Sequence, residues 1–296
     1  MQRNQFRCFH RLRVRWAEVD MQKTVFNAHY LAYIDAAMGD YWRALALPYP
    51  AAMAVLGGEL RVKKATLQYH ASARLDDVLD IGLRCAHVGA SSLRFEAAIF
   101  RGDALLLTGE MVYVFVDIAR QKARPVPPAL RTVLQNFESG GTMAEVRTSD
   151  WSTLGRDAAL VRHAVFVQEQ GIPQSIELDA LDASAVHAVL YNRLGMPMAT
   201  GRLLQPAPGV GRLGRMAVDR ALRGTGWGRQ LLDALVDAAR ARGDTCVELH
   251  AQCRAESFYA RAGFVVRGAP YEEAGIAHIT MERTLQGEGS AAKLLS

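Results

Sequence analysis

Apolar and polar residues alternate with a period of two in several runs of the first half of the chain. Leu79, Ile81, Leu83 and Cys85 alternate with Asp80, Gly82 and Arg84, and Leu93, Phe95, Ala97 and Ile99 alternate with Arg94, Glu96 and Ala98. Both runs predict half-buried strands. Ala104 to Val116 is nearly all apolar, which predicts a central strand. Phe6 to Val19 is strand-like too. Between them a helical period begins at Asn27, with Tyr30, Ile34, Ala37, Tyr41 and Leu45 on one face and Asn27 placed to cap the first turn. One long early helix followed by antiparallel strands predicts an α+β layer with the sheet packed around that helix.

The second half carries a different pattern between Arg215 and Arg242. Met216, Ala217 and Val218 read as the end of a buried strand, and Arg223, Gly224, Thr225, Gly226, Trp227 and Gly228 as a turn. Leu231, Leu232, Leu235, Val236 and Ala239 then recur at helical spacing. A glycine-rich turn into a helix leaves backbone N–H groups unpaired at the positive end of the helix dipole, a site for a phosphate or pyrophosphate. No Lys-Ser/Thr pair follows Gly228, so this is not a P-loop, and the spacing G-x-G-x-G fits a dinucleotide fingerprint poorly. It fits Arg/Gln-x-x-Gly-x-Gly/Ala, through Arg223, Gly226 and Gly228. A further strand follows at Cys246 to Ala251, then a helical segment from Ala255 to Phe264.

Between the halves, Glu138 to Arg147 follows a Pro-rich stretch and is rich in Gly, Ser and Thr, which predicts a linker. The expected organisation is one domain over 1–137, a linker over 138–147, a second domain over 148–285, and a polar tail over 286–296 that frays. A length of 296 residues, half of them hydrophobic, suits two domains with proper cores. No apolar run approaches the ~18 residues of a membrane helix, and the N-terminal segment lacks the apolar core of a signal peptide. The four cysteines, Cys8, Cys85, Cys246 and Cys253, are scattered without C-x-x-C spacing, and the eight histidines show no metal-binding spacing. These features predict a cytoplasmic protein with reduced thiols, no metal and no membrane segment. Residues 1–147 hold 19 Lys/Arg and 14 Asp/Glu, whereas residues 148–296 hold 16 of each. The excess begins at Arg7, Arg11, Arg13 and Arg15. A solvated strand face explains it best, a basic rim for an anionic ligand second, and nucleic-acid binding a distant third, since no nucleic-acid motif accompanies it.

Two resemblances give these patterns a chemistry. The Arg223–Gly228 turn resembles motif A of the GNAT acyltransferases, which wraps the pyrophosphate of acetyl-CoA. AESFYARAGF (Ala255 to Phe264) resembles the second GNAT signature, and VFVQEQGIP (Val165 to Pro173) with YEEAGIAHITMERTL (Tyr271 to Leu285) resembles the ElaA-type branch. This resemblance covers roughly Thr148 to Leu285. It implies that Tyr259 protonates the departing CoA thiolate. It also implies that a splayed strand at Met216, Ala217 and Val218 offers main-chain groups to pantetheine and the thioester carbonyl. Arg223, Gly224, Thr225, Gly226, Trp227, Gly228 and Arg229 would take the pyrophosphate. Gln252 stands where many members carry a pantetheine-contacting Asn. For the base that accepts the amine proton, Glu169, Glu177, Glu248 and His250 all remain open.

RVRWAEVDMQKTVFNAHYLAYID (Arg13 to Asp35) resembles the start of a hotdog-fold thioesterase of the hydroxybenzoyl-CoA thioesterase type, over roughly residues 5–135. The matching catalytic carboxylate is Asp20. Many members have Gly where Lys23 stands, and Asn27 occupies a position that is His, Asn or Tyr in the family. A carboxylate beside a helix N-terminus can activate water or attack the thioester, with free N–H groups stabilising the oxyanion. In this fold the site lies between two subunits, which implies a homo-oligomer. The two resemblances together imply an α+β chain: an N-terminal hotdog with a long helix wrapped by antiparallel sheet, joined to a C-terminal GNAT α/β domain with a mixed sheet. Its expected reactions are acyl-CoA hydrolysis in the first half and acetyl transfer from acetyl-CoA to an amine in the second. The alternative is an N-acetyltransferase whose hotdog half only dimerises or binds acyl-CoA.

Overall fold

A computed structural model of the chain describes residues 1–273 and 275–285. The tail expected over 286–296 lies outside the described residues. The chain divides into two compact units. One comprises Met1–Ala144 with Asn192–Leu194, the other Glu145–Tyr191 and the chain from Gly195 onwards.

The first unit contains β1 (Cys8–Arg13), α1 (His29–Ala44), α2 (Tyr49–Leu56), β2 (Glu59–Tyr69), β3 (Val78–Val88), β4 (Ser92–Arg101), β5 (Ala104–Asp117), β6 (Lys122–Ala123) and α3 (Pro128–Glu138). The sheet order is β1-β3-β4-β5-β2, with β6 attached to β5 and each pair antiparallel. The apolar β5 is internal, as its sequence predicts. Helix α1 packs on β1 and β3 and buries Tyr30, Tyr33, Ile34, Ala37, Met38, Tyr41 and Trp42. Tyr41 sits edge-on to Phe95 of β4 at 5.3 Å and to Phe137 of α3 at 5.2 Å, and its hydroxyl donates to Glu138 Oε1 at 2.5 Å. Each such large apolar side chain contributes about 1.5–3 kcal/mol by leaving water. The far face of β3 is covered as well. A side chain at Gly82 would meet the Phe6 ring at 2.7 Å, so only glycine lets the N-terminal segment lie there.

Several expectations need correction in this unit. The helix begins at His29, not Asn27, and its N-cap is Ala28 in helical conformation without a side-chain cap bond. Asn27 is exposed, and its carbonyl accepts from the Tyr69 hydroxyl at 3.0 Å. The strand read over Phe6 to Val19 is confined to Cys8–Arg13, because Trp16–Glu18 folds into a 3-10 turn. There the Glu18 carboxylate accepts from the Arg15 backbone N–H at 2.8 Å and from its guanidinium. The early arginines pair locally: Arg11 with Asp80 at 2.7 Å, and Arg13 with the Asp76 carbonyl at 3.0 Å.

The second unit contains β7 (Ala144–Ser149), α4 (Trp151–Arg162), a π-helical segment over His163–Glu169, α5 (Gln174–Glu177), β8 (Val186–Asn192), β9 (Pro197–Ala207), β10 (Val210–Val218), α6 (Trp227–Arg242), β11 (Cys246–Gln252), α7 (Glu256–Ala260), β12 (Val265–Glu273) and β13 (Ile276–Thr284). The segment expected as a linker over 138–147 is in part structured, since β7 begins at Ala144 and joins this sheet as its edge. The sheet order is β12-β13-β11-β10-β9-β8-β7. β10 and β11 are parallel, while β8–β9, β9–β10, β11–β13 and β12–β13 are antiparallel. Helix α6 buries Leu231, Leu232, Leu235, Val236 and Ala239 and packs on β9 and β10, the face that its apolar spacing predicts. Asp150 caps α4 through Thr153 N at 2.9 Å.

Candidate active sites

The second unit builds its site on a break in the sheet. The parallel pairing of β10 with β11 covers only Val210–Leu213 against Cys246–Leu249, although β10 runs on to Val218 and β11 to Gln252. Beyond Leu213 the two strands have no mutual partners among the described residues. On its other edge β10 bulges: Gly214 pairs with Arg202 and Ala217 with Thr200, so Arg215 and Met216 oppose one residue, Gly201. Arg215 adopts φ 52°, and its guanidinium donates to the Ile176 and Glu177 carbonyls at 3.0 Å. A cavity of about 390 Å³ opens at the break. Met216, His250, Gln252 and Tyr259 line it, together with Phe166 and Gln170 from the π segment and its exit.

Tyr259 is 8% exposed, and burial pushes its phenol up to about 12. It therefore stays protonated throughout the neutral range and is a proton donor. Among the described residues its hydroxyl makes no hydrogen bond. Gln252 donates to Gln170 Oε1 at 3.1 Å and accepts from Arg254 at 2.8 Å. Ala217 is turned into the core with Val161 and Val165, leaving only its main chain for a ligand.

The glycine turn reaches its geometry through two left-handed residues, Gly224 at φ 81° and Gly226 at φ 94°. Gly226 is the N-cap of α6 and supplies no side-chain cap, and no acidic residue lies in the first turn. Gly224, Thr225, Gly226 and Gly228 donate no backbone hydrogen bond to another main-chain group among the described residues. The arrangement is an anion cradle that no acidic side chain of the first turn occupies. The arginines beside it are occupied. Arg223 makes a two-pronged pair with Glu169 at 2.6 Å, and Arg229 pairs with Asp233 at 2.9 Å and donates to the Arg261 carbonyl at 3.0 Å.

That pairing also sorts the carboxylates. Arg223 holds Glu169 below its ordinary range. Glu177 is buried against Arg162, and Glu248 pairs with Arg212 at 2.6 Å. Glu177 belongs to a network that the sequence reading missed. Arg162, 1% exposed, binds both Glu177 and Asp182, and Arg202 binds Asp179 at 2.6 Å and Asp182 at 2.8 Å. Arg215 of β10 joins through Asp179 at 3.1 Å, so three arginines and three acids spread over α4, β9, β10 and the 174–184 segment have no shared spacing that a sequence could display.

In the first unit Asp20 sits in a tight turn. Its N–H donates to the Thr24 carbonyl and its own carbonyl accepts from Lys23, both at 2.9 Å, while its Oδ1 accepts from Gln22 N at 2.8 Å. A bridge between Val19 and Val25 closes the turn. Lys23 has φ 60°, the left-handed conformation that glycine adopts without cost. Trp16, Met21 and Phe26 around the turn are exposed, Met21 at 99%. Glu18, two residues before Asp20, is 4% exposed and accepts from the Tyr33 hydroxyl at 2.8 Å. Burial disfavours its charge, yet hydrogen bonds from Arg15 and Tyr33 outweigh burial and hold it below the usual carboxylate range. Glu18, His29 and Tyr33 line a cavity of about 310 Å³ whose lining does not include Asp20. Among the described residues no group of three or more His, Cys, Asp or Glu is arranged to hold a metal ion.

Comparison with known proteins matches both halves. Residues 14–134 match the thioesterase-like superfamily, and residues 156–285 match the acetyltransferase (GNAT) domain. The chain is 35% identical to the uncharacterized N-acetyltransferase YjcF of Bacillus subtilis, over 43% of this chain and 89% of that one. It is 31% identical to the acyl-CoA thioester hydrolase YbgC of Escherichia coli, over 40% of this chain and 89% of that one. The crystal structure of Escherichia coli ElaA shares 30% identity, covering 48% of this chain and 99% of that chain at a TM-score of 0.44. The chain belongs to both families: it is a bifunctional, acyl-CoA-using enzyme with a thioesterase-like hotdog domain followed by a GNAT acetyltransferase domain.

Proposed function

We propose that the second unit moves the acetyl group of acetyl-CoA to an amine, with Tyr259 as the acid, and that the first unit hydrolyses acyl-CoA through Asp20. The observation that carries the first reaction is the divergence of β10 from β11 beside a helix N-terminus whose glycine-turn amides have no main-chain partner among the described residues. The pyrophosphate of CoA is the ligand that suits the amides of Gly224 to Gly228, and the pantetheine arm then runs along the free edge of β10 at Met216 to Val218. The thioester carbonyl lies at that edge, where main-chain N–H groups stabilise the oxyanion as the amine attacks. Collapse of the adduct expels the CoA thiolate, and the buried Tyr259 phenol supplies its proton. Gln252, Arg223 and Arg229 act in this reading through position. Gln252 flanks the arm, while the two arginines brace the cradle through Glu169 and Asp233.

For hydrolysis, Asp20 activates water or attacks the thioester directly, and main-chain groups at the start of α1, near Asn27, receive the oxyanion. The turn around Asp20 supports this, because Lys23 keeps the glycine-like backbone despite its side chain. The exposed Trp16, Met21 and Phe26 beside it are apolar surface that a second hotdog unit covers in a homo-oligomer. The four cysteines are unpaired thiols, which suits a reducing cytoplasmic setting. No helix among the described residues is long and apolar enough to cross a membrane. Thiol release from short, long and aromatic acyl-CoAs, with and without amines, tests both halves. Amine-independent release must depend on Asp20, and amine-dependent release on Tyr259. Equal release by wild type and Asp20→Asn sinks the hydrolytic half of the reading.

A further inference from the structure

We infer that the imidazole of His250 is the base that takes the proton from the incoming amine, held in place by the hydroxyl of Tyr271; this rests on the acetyl-transfer reading above. His250 lies on β11, one strand face with Glu248 and Gln252, and lines the cavity that Tyr259 and Met216 also line. Its Nδ1 is 2.5 Å from the Tyr271 hydroxyl of β12 and 4.0 Å from Glu273 Oε2. His278 of β13, directly opposite Gln252, stacks on the Tyr271 ring at 6.2 Å. The ring is therefore gripped at one nitrogen. With Nδ1–H donating to Tyr271 Oη, the lone pair of Nε2 is left for a proton, and Glu273 stabilises the imidazolium that forms.

The other candidates are already spoken for. Glu169, Glu177 and Glu248 each face an arginine, respectively Arg223, Arg162 and Arg212, so the oxygens of each are engaged in an ion pair and not turned to a substrate. Charged groups around His250 are Glu248 on its own strand and, in the lining of the same cavity, Glu177 of α5, Arg202 of β9, Arg212 and Arg215 of β10 and Glu273 of β12; Tyr271 is its ring neighbour, and His278 stacks on Tyr271.

An ammonium group passes one proton to Nε2, and the freed lone pair bonds to the thioester carbon while the carbonyl π pair moves to oxygen. On collapse the carbon–sulfur bond breaks and sulfur takes the Tyr259 proton. The second nitrogen proton restores the phenol, and His250 returns its proton to solvent.

The test compares wild type, His250→Gln and Tyr271→Phe as full chains, using acetyl-CoA and whichever of benzylamine, spermidine and glucosamine the wild type acetylates fastest. At neutral pH His250→Gln lowers kcat/KM for the amine about 100-fold, and Tyr271→Phe lowers it less. Above the pKa of the amine, near about pH 10 for an alkylamine, the variant recovers the wild-type rate, because the nucleophile no longer needs a base. A deficit in His250→Gln that stays constant from neutral to high pH overturns the inference and leaves a structural role. No deficit at any pH overturns it as well. If the wild type acetylates none of the amines, the acetyl-transfer reading fails first and this one falls with it.

Discussion

At the scale of single residues, the decisive positions are those where the backbone takes a conformation that side chains resist. Gly226 holds φ 94° at the mouth of α6 with open space where a side chain would stand. Crowding is therefore absent, and conformation alone selects glycine. Gly226→Ala is expected to destabilise the acetyltransferase unit by about 1–2 kcal/mol and to weaken CoA binding, read by thermal unfolding with and without CoA. Lys23 is the converse case. The sequence marked it as a departure, and its φ of 60° shows that the turn is kept in spite of it. Asp20 and Tyr259 entered the reading because each stands inside a patterned segment, and their roles are proposals. Arg223 and Arg229 were read as part of a loop, yet the pairing of Arg223 with Glu169 was not, because that partner lies 54 residues away along the chain.

At the scale of elements, apolar periodicity carried the reading furthest where one face is buried. Strands β3 and β4 fall where their alternation puts them, and helix α6 where its helical spacing does. It failed where side chains reorganise the backbone: Glu18 turns Trp16–Glu18 into a 3-10 turn, and α3 starts within a Pro-rich stretch that reads as a breaker. The Arg162 network was invisible for a different reason, since it ties four segments through side chains alone. It fixes the 174–184 segment against α4 and β9, beneath the cavity. Arg162→Met leaves Glu177 and Asp182 buried without that partner, so a loss of about 3–5 kcal/mol is expected in urea unfolding of this unit. The same network sets an acid dependence. Hydrogen bonds from Arg202 lower Asp179; at Asp182 burial raises the pKa, but Arg162 and Arg202 more than reverse it. Both carboxylates thus contribute stability that is complete above the ordinary Asp range and is lost as pH falls below it toward their depressed folded values. Unfolding midpoints measured down through that range should drop in the wild type, and drop less in Arg162→Met.

At the scale of the whole molecule, each half keeps its own machinery within its own unit. β2 leaves one edge of the first sheet open, with Val62 57% and Tyr69 49% exposed. Light scattering is expected to find a dimer or larger assembly. Val62→Glu is expected to shift it toward the monomer and reduce hydrolysis while amine transfer persists; a monomeric wild type with full hydrolysis contradicts the shared-site reading. The two reactions differ in where the acyl group ends. The most direct measurement is the fate of a carbonyl-labelled acyl group from acyl-CoA in the presence of an amine, resolved by mass spectrometry into free acid and amide. In Asp20→Asn the acid should vanish while the amide remains, and in Tyr259→Phe the amide should fall about 100-fold while the acid remains. If either substitution removes both products equally, or neither product changes, the chain does not house two separate acyl-CoA reactions.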